Sequence, residues 1–102
     1  MTITNLRQIS AAPYKTKQQI AKEYDLSPST VQNRMKEIEQ EEERYGKRAI
    51  IRDGGIVLVN YLVFLDYLAN RARLKDKNAR KYVSPYQPAE LARELGWYAD
   101  ED

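Results

Sequence analysis

TKQQIAKEYDLSPSTVQNRMKEIEQEEER, residues 16–44, reads as two helices joined by a tight turn. Thr16 with Gln19 three residues on is a capping box, so a helix starts there. Ile20, Ala21 and Tyr24 follow at helical spacing and give it one apolar face. Asp25 interrupts the pattern, and Asp tolerates the left-handed backbone that a sharp corner demands. Leu26 is placed to plug the corner from inside. Ser27-Pro28 restarts the chain, with Ser as N-cap and Pro at the first helical position. Val31, Met35 and Ile38 lie at i, i+4 and i+7 and turn the second helix back onto the first. A small residue (Ala21), a turn-former four later (Asp25) and an apolar residue ten later (Val31) is the spacing of a helix-turn-helix. Two steeply crossing helices touch at one point, where one side chain must be small.

The outward face of the second helix carries Ser29, Gln32, Asn33, Lys36 and Gln40. It is polar, short-chained and amide-rich, which suits the reading of base edges in a major groove. The second helix is expected to run on through Glu39–Glu43 to Arg44-Tyr45 and to stop at Gly46, a natural C-cap. Its glutamate run cannot lie against phosphates. It is expected to be a solvated face, with the basic stretch 71–81 or a basic partner protein as alternatives.

The next informative stretch is Lys47 to Asn60. Arg48–Arg52 and Ile56–Asn60 are β-branched runs, and Asp53-Gly54-Gly55 between them is hairpin turn chemistry. A short hairpin directly after a recognition helix is the wing of a winged helix-turn-helix, and it needs a core to lie on. Arg52 at its tip and Lys47 and Arg48 at its base are placed to touch DNA backbone or minor groove. Asn60 then caps a long helix predicted over 61–81, whose aromatics Tyr61, Phe64 and Tyr67 belong to the core. Its basic end, Arg71 to Lys81, could lie along phosphates or bind the glutamate run. From Tyr82 a proline-broken linker leads to a short helix opened by Pro88, with Leu91, Ala92 and Leu95 on one face. Gly96 ends it, and Trp97-Tyr98 and an acidic tail follow. Trp97 and Leu91 are expected to dock on the domain as a lid; a protein-contact patch is the alternative. At the other end, Ile3, Leu6 and Ile9 recur every three residues, as a short helix or an extended arm. Tyr14 is expected to cover the core edge, with stacking near a phosphate as the alternative.

Composition bounds the chemistry. At 102 residues the chain has room for one domain with a modest core. It holds no cysteine and no histidine, so disulfides, thiolate zinc sites and every Ser–His or Cys–His pair are excluded. An enzyme is not expected, and no cofactor is implied. No apolar run approaches membrane-spanning length and no signal pattern opens the chain, so a soluble, cytoplasmic protein without a membrane partner is expected. The net charge is only +2, but its layout is blocked. Residues 1–36 hold six Lys/Arg against two acids, 37–46 one against five, 70–81 six against one, and 82–102 one against five. Such a molecule is polarised, basic where the reading elements lie.

The order helix-turn-helix, DGG hairpin, Asn-capped aromatic helix resembles the small winged-helix DNA-binding proteins of phages and mobile elements of Gram-positive bacteria, which include excisionases (recombination directionality factors). The segments that carry the likeness are TKQQIAKEYDLSPSTVQNRMKEIE, RYGKRAIIRDGGIVLVNYLVFLDYL and the closing LGW. The resemblance implies a bacterial host cell and no catalytic activity. It also implies binding to short, often repeated double-stranded DNA sites, self-association on DNA, and recruitment or blocking of an integrase or polymerase. Base reading would fall to Ser29, Gln32, Asn33 and Lys36, and wing contact to Arg52. The polyglutamate end of the second helix and the long C-terminal extension depart from a minimal excisionase.

The expected architecture is therefore mainly α with a small β-hairpin: a winged helix-turn-helix domain over 1–81 with a C-terminal helical extension over 82–102. Within it the helix-turn-helix spans 16–44, the wing 47–60 and the long helix 61–81. The expected function is sequence-specific DNA binding, as excisionase or transcriptional regulator, through recognition helix 28–44 and wing 48–60. The candidate contact residues are Ser29, Thr30, Gln32, Asn33 and Lys36, with Lys17, Arg34, Lys47, Arg48 and Arg52. Two other functions fit the same residues: a protein-interaction module such as an antirepressor or inhibitor, and a phage terminase small subunit.

Overall fold

A computed structural model describes residues 14–96. Strand β1 (Tyr14–Thr16) runs directly into α1 (Lys17–Glu23); a corner then leads to α2 (Pro28–Glu39). A short α3 (Glu42–Tyr45) precedes the hairpin of β2 (Ile50–Asp53) and β3 (Ile56–Asn60). The chain continues into α4 (Tyr61–Leu74), a 3-10 turn (Arg80–Tyr82) and α5 (Pro88–Glu94). The result is mainly helical with one three-stranded antiparallel sheet, ordered β1-β3-β2.

The local signals act as their chemistry dictates. Thr16 and Gln19 form the capping box: Thr16 Oγ1 accepts from Gln19 N–H at 3.1 Å, and Gln19 Oε1 from Thr16 N–H at 2.9 Å. Asp25 takes the corner at φ 55°, and Leu26 N–H donates to the Ala21 carbonyl at 2.9 Å, folding the plug inward. Ser27 caps α2 through Thr30 N–H at 3.1 Å, and Asn60 caps α4 through Leu62 and Val63 N–H. The hairpin pairs Ile50 with Val59 and Asp53 with Ile56, so its loop is Gly54-Gly55 alone. Gly54 sits at φ 61°, the first central position of a II′ turn, where an L side chain would be strained.

Ile20, Val31, Met35, Ile38, Val59, Phe64 and Tyr67 make the centre of one core. Each is at most 1% exposed. Tyr61 is also buried, with Tyr24 stacked on it at 5.9 Å. The three aromatics expected in the core are all there.

Four expectations are corrected. The sheet has a third strand: β1 pairs Tyr14 with Asn60 and Thr16 with Leu58. Three residues are too few to show a period, but an N-cap residue has extended backbone, so a strand can flow straight into α1. Tyr14 is half-buried and its hydroxyl donates to the Arg48 carbonyl at 3.0 Å.

The recognition helix expected over 28–44 is broken at Gln40-Glu41. Continued, it would stack Glu37 on Glu41 and Glu39 on Glu43 at i, i+4, beside the negative end of the helix dipole. The restart puts Glu42 and Glu43 in the first turn of α3, where the dipole favours them, and buries Tyr45. Gly46, at φ 80°, ends this short helix instead.

The long helix expected over 61–81 stops at Leu74. The Asp76 carboxylate accepts from Asn78 N–H at 2.8 Å, competing with helical bonding. Arg80 Nη1 satisfies the free Leu74 carbonyl at 2.7 Å.

On α5, Ala92 is fully buried and Leu91 half-buried, but Leu95 lies past the last turn and is exposed. Trp97, the acidic tail and the Ile3–Ile9 repeat lie outside the described residues. The stretch before α5 is extended, yet it is not free of the body. Tyr86 packs edge-on against Tyr45 at 5.1 Å, and Arg44 Nη1 donates to the Ser84 carbonyl at 2.8 Å. Among the described residues no helix is long and apolar enough to cross a membrane.

Candidate functional site

The residues singled out by their chemistry divide into those left open and those already engaged. Val31, Met35 and Ile38 bury one stripe of α2, which forces the opposite stripe outward. On that stripe Ser29, Asn33, Lys36 and Gln40 are exposed. Neither Asn33 nor Lys36 has an ion-pair or side-chain hydrogen-bond partner among the described residues. Ser29 keeps only a contact to Ser27 Oγ at 3.2 Å. Thr30 and Gln32 are half-buried: Thr30 Oγ1 lies 2.9 Å from Ser27 Oγ, and Gln32 Oε1 accepts from Lys17 Nζ at 3.2 Å. Arg34 is turned to Glu37 at 3.7 Å and lies further from the open stripe.

On the hairpin, Arg52 is exposed but not unpartnered. Its Nη2 donates to Glu39 Oε1 at 3.0 Å, which ties the hairpin to the last turn of α2. Lys47 and Arg48 precede β2 rather than lying in it, and both are exposed. The structure thus brings Ser29, Gln32, Asn33, Lys36, Lys17 and Arg52 around one side of α2. Arg34 and the Lys47-Arg48 pair stand apart from that group.

The acids at the far end of α2 have definite partners. Glu37 receives Arg71 Nε at 2.8 Å, Tyr67 Oη at 2.8 Å and Lys75 Nζ at 3.2 Å. The hydrogen bond from Arg71, helped by those from Tyr67 and Lys75, holds the Glu37 carboxyl down to about 2 against the cost of its partial burial. Burial, and then the hydrogen bond to Glu37, push the Tyr67 phenol up to about 12. Glu41 is bound by Arg80 at 2.9 Å. Arg71, Lys75 and Arg80 of the basic stretch 71–81 are thus engaged by Glu37 and Glu41, and with Glu39 held by Arg52 the solvated face expected for the glutamate run is reduced to Glu42 and Glu43. The sequence held this signal in its blocks of opposite charge, but only the fold shows that Arg71 and Lys75 reach Glu37 on α2 and that Arg80 reaches Glu41 just past it.

A second polar cluster fixes α3. Asp66 on α4 accepts from Arg44 Nε at 3.0 Å and from the Tyr45 hydroxyl. Burial, reinforced by Asp66, raises the Tyr45 phenol far above its ordinary value. Sequence reading missed Asp66 because a single acid inside an apolar helix carries no periodic signal.

Comparison with protein-family models, curated proteins and solved structures gave no match. What the surface can do is therefore argued from its chemistry. The open stripe of α2 offers a hydroxyl, an amide and an ammonium in two successive turns.

Proposed function

We propose that the chain is a winged helix-turn-helix protein that binds double-stranded DNA sequence-specifically. In this reading α1 and α2 are the helix-turn-helix, α2 enters the major groove, and the β2–β3 hairpin is the wing. One observation carries it: Asn33 and Lys36, with Ser29 one turn before, project from α2 unpartnered by any acid, while Glu37 and Glu41 are drawn away onto Arg71 and Arg80. The open stripe thereby presents donors and acceptors, while the Glu37 charge is turned onto Arg71 on α4. An asparagine amide on a groove-seated helix can bond an adenine edge in two places, and Lys36 can bond guanine. Lys17, Lys47, Arg48 and Arg52 supply backbone contacts that set the register.

Excisionase and transcriptional regulator are the roles proposed for such a binder, with an integrase or polymerase as the protein partner and self-association on DNA. A second reading has its own observation. Glu42 and Glu43 are exposed and make no ion pair among the described residues, which would suit an antirepressor or inhibitor that meets a basic protein surface.

The test is binding to DNA flanking the gene, tiled as short duplexes, at two salt concentrations. A tile held tightly at the higher salt supports the reader and names its site, because sequence-independent binding fades steeply with salt. Uniform weak binding that vanishes with salt leaves only a basic surface. Absence of binding at both salts turns the reading to the protein-contact module.

A further inference from the structure

Between the start of α1, the middle of α2 and the hairpin lies an open cleft of about 360 Å³, lined by Lys17, Gln32, Met35, Arg52, Ile56 and Val57 among others. Two cations stand at its polar rim, and its wall is apolar. Lys17 is half-buried, and its ammonium donates to the neutral Gln32 amide oxygen at 3.2 Å. No carboxylate lies within ion-pair distance of it among the described residues. A partly covered ammonium without a counter-charge favours an incoming anion.

Arg52, the other cation, is paired with Glu39. The two Glu39 oxygens meet its Nη2 and Nε at 3.0 and 3.4 Å. That two-pronged arrangement is the one a guanidinium makes with a phosphate. Glu39 sits in the last turn of α2, where the helix dipole disfavours a carboxylate. Both side chains are well exposed, at 47% and 41%, so the pair is weak and exchangeable.

The geometry points to this cleft as a seat for one phosphodiester group, with Lys17 open to it and Glu39 holding Arg52 until the phosphate takes its place. Ile56, Val57 and Met35 offer the apolar wall on which the attached sugar can lie. A DNA strand is the source if the DNA reading above holds, and the inference rests on that reading for its main ligand. A free nucleotide or inorganic phosphate carries the same chemistry.

The test uses the full chain and two readouts. Side-chain NMR signals of Arg52 Nε–H and Lys17 are followed while inorganic phosphate, a thymidine dinucleotide or a short duplex is added. In parallel, duplex affinity is measured for E39Q, R52Q, the double variant and E42Q. Glu39→Gln is expected to tighten duplex binding about two- to five-fold, the scale of an exposed ion pair. That gain should vanish in the Arg52→Gln background and should exceed the gain from Glu42→Gln. A gain that persists without Arg52, or that Glu42→Gln equals, overturns the competition, because removal of any acid would then do as much. If no duplex binds but the dinucleotide or phosphate moves both signals, the seat stands and the DNA reading falls. If none of the three probes moves them, the seat is overturned.

Discussion

Glu37 on α2 and Arg71 on α4 meet through two hydrogen bonds, at 2.8 and 3.1 Å, and the same carboxylate takes a third from Tyr67. This contact spans the two longest helices, so it fixes the angle at which α2 leaves the body. The open stripe of Ser29, Asn33 and Lys36 is aimed by an acid that never joins it.

The pH dependence follows from that cluster. Glu37 is held at about 2 in the fold against an ordinary 4.5. Its contribution to stability is therefore present above pH 4.5 and is lost as pH falls through about 2. Tyr67, raised to about 12, contributes below its ordinary 10 and loses that contribution as pH climbs through about 12. Glu37→Gln should cost on the order of 1–3 kcal/mol at neutral pH. Urea unfolding of the variant and the parent should converge toward pH 2. A constant gap across the acid range would contradict the assignment.

Arg52→Ala should weaken cognate and random duplexes alike. A phosphate contact made by a free cation would lower the slope of log K against log salt by about 0.9. Here Glu39 is released as the contact forms and regathers a counterion, so the change should be smaller than that. Anisotropy titrations over a salt series give the slope directly. A loss confined to the cognate sequence would mean that Arg52 reads bases.

Much of this fold was legible because the deciding signals are local. Thr16, Ser27-Pro28 and Asn60 fix helix starts through bonds to residues two or three positions away, and Gly54-Gly55 fixes the hairpin in the same way. The ends of α2 and α4 were not legible. The end of α2 is set by a balance of like charges among Glu37, Glu39, Glu41 and Glu43 that apolar periodicity does not report, and the end of α4 by Asp76 turning its side chain on the backbone and by Arg80 reaching the Leu74 carbonyl. For the candidate site, the outward stripe of α2 follows from the spacing of Val31, Met35 and Ile38. The engagement of Arg52 by Glu39 and of Lys17 by Gln32 does not, because both depend on how the hairpin and α1 lie against α2.

Tyr86→Ala tests whether residues 82–96 belong to the body. The ring is half-buried against Tyr45, and burial raises its phenol above the ordinary value. Its removal should cost about 1–3 kcal/mol, less than a fully buried aromatic. An unchanged urea midpoint would show that the segment lies on the surface without holding it together.

The most direct test of the reading stripe is the affinity of Asn33→Ala for a selected duplex and for a scrambled one of equal length. The expected result is a loss of about 1–3 kcal/mol on the selected duplex, with binding to the scrambled one nearly unchanged. An equal loss on both would contradict a base-reading α2.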